Sequence, residues 1–182
     1  AESGSDAFNM SNKAEKNANY YLVNGCKMFI SNGPIADVFI VLARTEKTKF
    51  TAFVVERNFD GVKTGRNIEK MGLDGCPTSE LILENCRVPE ENILGTLNMG
   101  ENIISAALEW ERCYEFVPHI GAMQRIMENC IEHAQTRKQF GKPISEYQAI
   151  SHKISDMYVC IEMSRQMLYK IAWMKDCGKR AF

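Results

Sequence analysis

Glu111 sits in the stretch "AALEWERCYEF", residues 106–116, where a helix would put an apolar side chain. Ala107, Leu108 and Tyr114 share its face at spacings of three and four. A carboxylate there has two readings. It is a solvated or ion-paired edge residue, the commoner fate of a helical Glu, or it is a general base whose pKa an apolar pocket raises toward the working pH. Glu115 follows one turn later, about 40° around an ideal helix. It would share a cavity with Glu111, unless Pro118 and the bulky Tyr114 and Phe116 bend the helix and send it to an Arg or to solvent.

Three other stretches carry chemistry-bearing residues. "SGSD" at 3–6 offers backbone N–H groups and hydroxyls to an anion, although Gly-Ser turns are common. "KMFISNG" at 27–33 ends a strand with an aromatic ring and a hydroxyl, which alone also describes a core Phe followed by a polar turn. "TRKQFGKPISEYQ" at 136–148 places Arg137, Gln139 and Phe140 in one cationic, aromatic corner. That corner suits a phosphate-bearing ligand, and it also suits simple compensation of a helix dipole.

These residues need a scaffold, and the chain is long enough to supply it. Its 182 residues are 45% hydrophobic and 25% charged, within the globular range. The formal net charge of −1 lacks the basic excess that nucleic acid or an anionic membrane surface would favour. Seven cysteines, odd in number and without C-x-x-C spacing, argue against a zinc site or a disulfide framework, so no metal is expected. They point to a reducing compartment. No apolar run reaches the roughly 20 residues of a membrane-spanning helix. The opening "AESGSDAF" and the ending "CGKRAF" read as cuts from a longer polypeptide.

The periodicity changes once along the chain. From Asn19 to about Pro89 the signals are strand and turn, with a hairpin expected at Asn24-Gly25 and five or six antiparallel strands forming a small barrel or sandwich. Beyond "ILGTLNMGEN" the period is helical. One helix is expected from 101 to about 137 and a second through Ile150, Ile154, Met157, Ile161, Leu168 and Ile171, with the break at Gly141 and Pro143. Two antiparallel helices leave apolar stripes that further helices or a second subunit must cover. The expected class is α+β: a β-barrel domain over residues 1–95, then part of an antiparallel helical bundle over 96–182.

Taken together, "SGSD", "MFISNG", "EWER" and "TRKQFG" with the later "YQ" resemble the acyl-CoA dehydrogenase family, in order and along the whole chain. "SGSD" is similar to the end of the family's "TEPGAGSD" loop, and "MFISNG" to its "WITNG". The resemblance implies a middle β-barrel, the first two helices of a C-terminal bundle, bound FAD, and a homotetramer or homodimer when complete. It also implies that the reducing compartment is bacterial cytoplasm or mitochondrial matrix. It places Ser5 on flavin and acyl ligand, Phe29, Ile30 and Ser31 beside the isoalloxazine ring, and Arg137, Gln139, Phe140, Tyr147 and Gln148 against the FAD of a neighbouring subunit. Glu109 and Arg112 match an Asp and an Arg that contact the CoA portion. Glu111 matches the catalytic base of the isovaleryl and long-chain branches, which takes the alpha proton while hydride passes to flavin N5. Phe29 stands where the family has Trp, and Tyr147 where it usually has His.

The implied reaction is α,β-dehydrogenation of an acyl thioester, on CoA or on a carrier protein as in prolyl-type relatives, with an electron-transfer flavoprotein as acceptor. Glu115 near the acyl tail would favour a cationic or hydrogen-bonding acyl group over a plain hydrocarbon. The two departures also leave room for a non-catalytic relative that keeps the fold as a binding or assembly module.

Overall fold

The computed structural model describes residues 9–179. "SGSD", and Ser5 with it, lies outside them. The described residues divide into two compact units at the Ser105/Ala106 boundary.

In the first unit, runs of alternating burial form β1 (Lys13–Asn17), β2 (Tyr20–Ser31), β3 (Val38–Glu46), β4 (Lys49–Glu56), β5 (Val62–Thr64), β6 (Thr78–Pro89) and β7 (Ile93–Leu94). They make one seven-stranded sheet in the order β5-β6-β2-β1-β3-β4-β7. Pairing is antiparallel except at β1 and β3, which meet in parallel at Lys13 and Arg44. Tyr21 on β2 and Phe53 on β4 bring their rings to 5.2 Å. Three strand steps separate them in the order, which in a flat sheet would be about 14 Å. The sheet therefore curls around its own core, as a barrel does. That core joins Val23, Val41, Val55, Leu81, Leu83 and Val88 from strands all along the order.

Asn24-Gly25 does not make the expected hairpin. β2 runs through it as one strand of 12 residues, because β6, equally long, pairs along its whole length. The dipeptide sits at a bulge instead. Asn85 of β6 takes φ +50° there, and its amide donates to the Asn24 side-chain oxygen at 2.7 Å. Gly25 is required by packing, since a Cβ would lie 2.6 Å from the Asn12 side chain. The hairpin turn is the preceding Ala18-Asn19, between paired Asn17 and Tyr20.

α1 (Gly100–Tyr114) begins against the sheet: a Cβ on Gly100 would stand 2.9 Å from the Phe50 carbonyl oxygen. The second unit contains the rest of α1, α2 (Phe116–Thr136), a hairpin of β8 (Lys138–Gln139) and β9 (Lys142–Pro143), and α3 (Gln148–Asp176). The single helix expected over 101–137 is two, divided at Glu115. Pro118 offers no N–H to the Tyr114 carbonyl and its ring crowds that group, so the ladder is interrupted one turn before the proline. α2 and α3 pack through buried Ile120, Met127 and Ile161. Met163, Met167, Tyr169 and Trp173 on α3 remain exposed, so the apolar stripe is only partly covered.

Candidate active site

The residues singled out in the first unit lie at the end of β2. Lys27 pairs with Leu81 and Ile30 with Ser79, so Met28 and Phe29 together oppose Glu80. This is a second bulge, with the extra residue now on β2. Phe29 takes φ +59°, a conformation that a bulky residue adopts only where its surroundings enforce it, and its ring is 67% exposed. A regular strand would have alternated past this point. The bulge instead aims an aromatic face outward and leaves Ser31 exposed beside half-buried Ile30.

The turn that follows is held on several sides. Asn32 at φ +59° donates its amide to the Pro77 carbonyl at 2.7 Å, and its own carbonyl accepts from the Ile35 and Ala36 amides. Gly33 donates to the Ile30 carbonyl at 3.0 Å, and a Cβ on it would reach the Ser79 hydroxyl at 2.5 Å. Arg57 and Lys70 reach this region from elsewhere in the chain. Arg57 donates to the Gly33 and Ala36 carbonyls. Lys70 donates to the Leu73 and Cys76 carbonyls and to the hydroxyl of Thr78, the residue paired with Ser31. Neither was legible as a site residue, because nothing local distinguishes "VERN" or "IEKM" from a strand end or a loop. Lys27 borders a cavity of about 390 Å³ with Ile30, Ser31, Phe39 and Ile40, and burial lowers its pKa.

In the second unit the three carboxylates of the Glu109–Glu115 segment have different fates. Glu109 forms an ion pair with Lys175 of α3 at 2.5 Å, and that ammonium also lies 5.1 Å from the Trp110 ring centroid. Glu111 and Glu115 are exposed, and among the described residues neither has an ion pair or side-chain hydrogen bond. The Glu115 amide donates to the Glu111 carbonyl at 2.9 Å, which keeps the two in helical register across the break. Arg112 is exposed beside an apolar groove of about 590 Å³ lined by Cys113, Phe116, Ile120, Met163 and Met167.

At the far end of α2, Arg137 ends the helix and the β8–β9 hairpin projects Phe140 at its tip. Phe140 and Gly141 both take positive φ, +51° and +82°, as the two central residues of a tight hairpin turn of this hand require. The Phe140 ring is 94% exposed, and Arg137 and Gln139 are exposed beside it. Tyr147 donates its hydroxyl to the Gln139 carbonyl at 3.0 Å, with the Lys142 ammonium 4.4 Å from its ring centroid. It therefore braces the hairpin from behind, and Gln148 opens α3 next to it. The 21 residues of α2 span about 31 Å, so Glu111 and the Arg137 corner of one chain cannot converge on one small pocket.

Residues 1–86 match the family model described as acyl-CoA dehydrogenase, middle domain, and residues 98–181 the one described as acyl-CoA dehydrogenase, C-terminal domain. The chain belongs to the acyl-CoA dehydrogenase family. It is 38% identical to L-prolyl-[peptidyl-carrier protein] dehydrogenase of Pseudomonas fluorescens, over 97% of this chain and 48% of that protein. It is likewise 38% identical to mitochondrial isovaleryl-CoA dehydrogenase of Arabidopsis thaliana, over 97% of this chain and 44% of that one. The solved structure of PigA with FAD and proline superposes with a TM-score of 0.92 at 35% identity, covering 98% of this chain and 48% of that one. The chain thus spans about half the length of the curated relatives it matches. No cluster of three or more potential metal ligands occurs among the described residues, and none of their helices is long and apolar enough to cross a membrane.

The residues present suit a bound flavin. Phe29 offers an outward aromatic face with the Ser31 hydroxyl two residues on, and the Phe140 hairpin offers a second exposed ring beside the Arg137 cation. Flat aromatic faces next to hydroxyl and guanidinium donors match a flavin ring and its pyrophosphate.

Proposed function

We propose that the complete protein is an FAD-dependent dehydrogenase that introduces a double bond between the alpha and beta carbons of an acyl thioester, with Glu111 as the base. The observation that carries this is the division of labour on α1. Glu109 is committed to Lys175, whereas Glu111, two residues on and nearly opposite it around the helix, has no competing cation among the described residues. A carboxylate already neutralised by a lysine is a poor base, and a free one becomes a good one when covered and desolvated. Glu111 removes the alpha proton, and Arg112 beside it meets the CoA or carrier end of the ligand. Phe29, Ile30 and Ser31 hold the flavin ring, and Arg137, Gln139, Phe140 and Gln148 meet the FAD of a second subunit across the roughly 30 Å that α2 imposes. FAD, when bound, supplies the two-electron acceptor for the beta hydride. The assembly is a homotetramer or homodimer, and an electron-transfer flavoprotein reoxidises it.

A carrier-bound prolyl or aminoacyl group is the second reading of the substrate. It is favoured by the relative that acts on L-prolyl-[peptidyl-carrier protein] and by Glu115, whose carboxylate has no cation among the described residues. A cationic acyl tail would supply one. The experiment is anaerobic bleaching of the visible flavin absorbance of the full-length protein by butyryl-CoA, isovaleryl-CoA and prolyl-carrier thioester, repeated with Glu115→Leu. Bleaching by the neutral CoA esters, unchanged in the variant, selects the first substrate class. Bleaching by the prolyl thioester whose second-order reduction rate constant drops roughly tenfold or more on loss of Glu115 selects the second. A full-length protein that neither carries nor takes up FAD overturns the enzyme reading and supports a binding module.

A further inference from the structure

Arg57 lies just after β4, far in sequence from any residue expected at the site, yet its guanidinium is spent on the loop that follows the Phe29 bulge. Its Nε donates to the Ala36 carbonyl at 2.5 Å and its Nη2 to the Gly33 carbonyl at 2.6 Å. Nη1 reaches the Thr64 hydroxyl at 3.3 Å, and the planar group lies 5.5 Å from the Phe39 ring centroid. Its backbone amide donates to the Asp37 carbonyl at 2.8 Å, so the clamp is built on the same ladder that joins β3 to β4.

The clamped loop fixes the trajectory of Phe29–Ser31. Upstream, the strand is tied at Lys27 and Leu81. Downstream it is tied at Ile30–Ser31 with Ser79–Thr78, and then by the Asn32–Ala36 turn. Phe29 at φ +59° is a conformation a free chain avoids, so the segment keeps it only while both ends are held. Gly33 leaves no slack on the inner side, where Ser79 would meet a Cβ. Arg57 closes the outer side. A fork of parallel donors can hold two carbonyls in a fixed relation, which a lysine ammonium on a flexible stem cannot do.

We infer that Arg57 is a positioning residue for the flavin face: through the Gly33 and Ala36 carbonyls it holds Phe29, Ile30 and Ser31 where an isoalloxazine ring can lie against them. This rests on the flavin reading above, and it assigns a role to a side chain that does not touch the ring.

The test uses the full-length protein with three substitutions: Arg57→Met, Arg57→Lys and Val88→Ala. Val88 is buried in the sheet core and pairs with Tyr21, at the opposite end of β2 from the bulge, so its variant controls for general loss of stability. The readouts are the dissociation constant of FAD from the refilled apoprotein, the shape of the bound flavin's visible spectrum, and amide hydrogen exchange over residues 28–36. Arg57→Met is expected to weaken FAD binding by roughly tenfold or more, alter the spectrum and speed exchange in that segment, as loss of charge-assisted donors to two carbonyls predicts. Arg57→Lys is expected to fall between it and wild type, and it carries the test if Arg57→Met does not fold. Val88→Ala is expected to lower the melting temperature with FAD affinity and spectrum unchanged. Unchanged FAD affinity and spectrum in the folded Arg57 variants, with a wild type that binds FAD, would overturn this inference alone. So would losses in Val88→Ala that match theirs. A wild type that takes up no FAD overturns the flavin reading itself, even where exchange shows the clamp intact.

Discussion

The two units solve the problem of holding a site in opposite ways. The sheet unit curls around its own core: Tyr21 meets Phe53 across three strand steps, a common core is buried, and the exposed Phe29 is produced by a bulge whose supports all lie within the unit. The helical unit buries a short seam of Ile120, Met127 and Ile161 and leaves Glu111, Glu115, Arg137 and Phe140 exposed. One set of residues is shaped by its own unit. The other is presented outward, and its chemistry depends on what covers it. Desolvating an exposed carboxylate takes a covering partner, whereas a strained strand end can be a property of one sheet.

This contrast predicts different costs for damage in each unit. The largest effect is expected from Glu111→Gln in the full-length protein. Alpha-proton abstraction, followed as flavin bleaching by substrate in stopped flow, should slow by roughly three orders of magnitude, within the range of general-base removal. The melting temperature should stay within a degree or so, because Glu111 has no stabilising partner among the described residues. Near-normal bleaching would move the base elsewhere, and a large fall in melting temperature would make Glu111 structural and dissolve the contrast.

Phe53→Ala should show the reverse pattern. Phe53 is fully buried against Tyr21 in the sheet core, and its truncation should cost about 3–5 kcal/mol of unfolding free energy in urea titration. A loss well below about 2 kcal/mol would mean that the curled core collapses around the cavity and is less closed than its burial indicates.

The smallest effect is a pH dependence confined to the sheet. Burial, with a lesser contribution from Asp60, raises the pKa of the Cys86 thiol from 9.0 to about 11. A raised folded pKa leaves stability intact below the unfolded value. It then removes stability as pH climbs from about 9 toward about 11, because the unfolded thiol ionises first. Unfolding free energies from urea titration across that window should fall with a slope of up to about 1.4 kcal/mol per pH unit from this group, and Cys86→Ala should lose that component. At about pH 8 a maleimide should label exposed Cys130 and Cys160 well before Cys86. Equal labelling rates would show that the sheet core around Cys86 opens freely on the labelling timescale.

Much of this was legible in the chain. The switch from strand to helix periodicity near residue 100, the long helix through Ile150 to Ile171 and the helix end at Arg137 follow from residue spacing, because amphipathic period and helix breakers act locally. The misplaced hairpin had a different origin. Asn24-Gly25 carries the strongest turn signal in the region, but β6 supplied a partner strand along all of β2, and ladder pairing overrode the local preference. The break at Glu115 was written in Pro118, yet whether a proline merely bends a helix or divides it depends on the packing around it.

The amino-acid order by itself determined the switch from strands to helices and the family, since these depend on period and motif order along the chain. Only the tertiary structure decided what the side chains are free to do. Glu109 was taken by Lys175 from 66 positions away. Glu111 was left without a cation among the described residues, Phe29 was turned outward by an extra residue in β2, and Arg57 was brought from 24 positions away to the Gly33 carbonyl. Hydrogen bonds and ion pairs are fixed by distance in space, and that distance is set by how a sheet curls and where two helices meet.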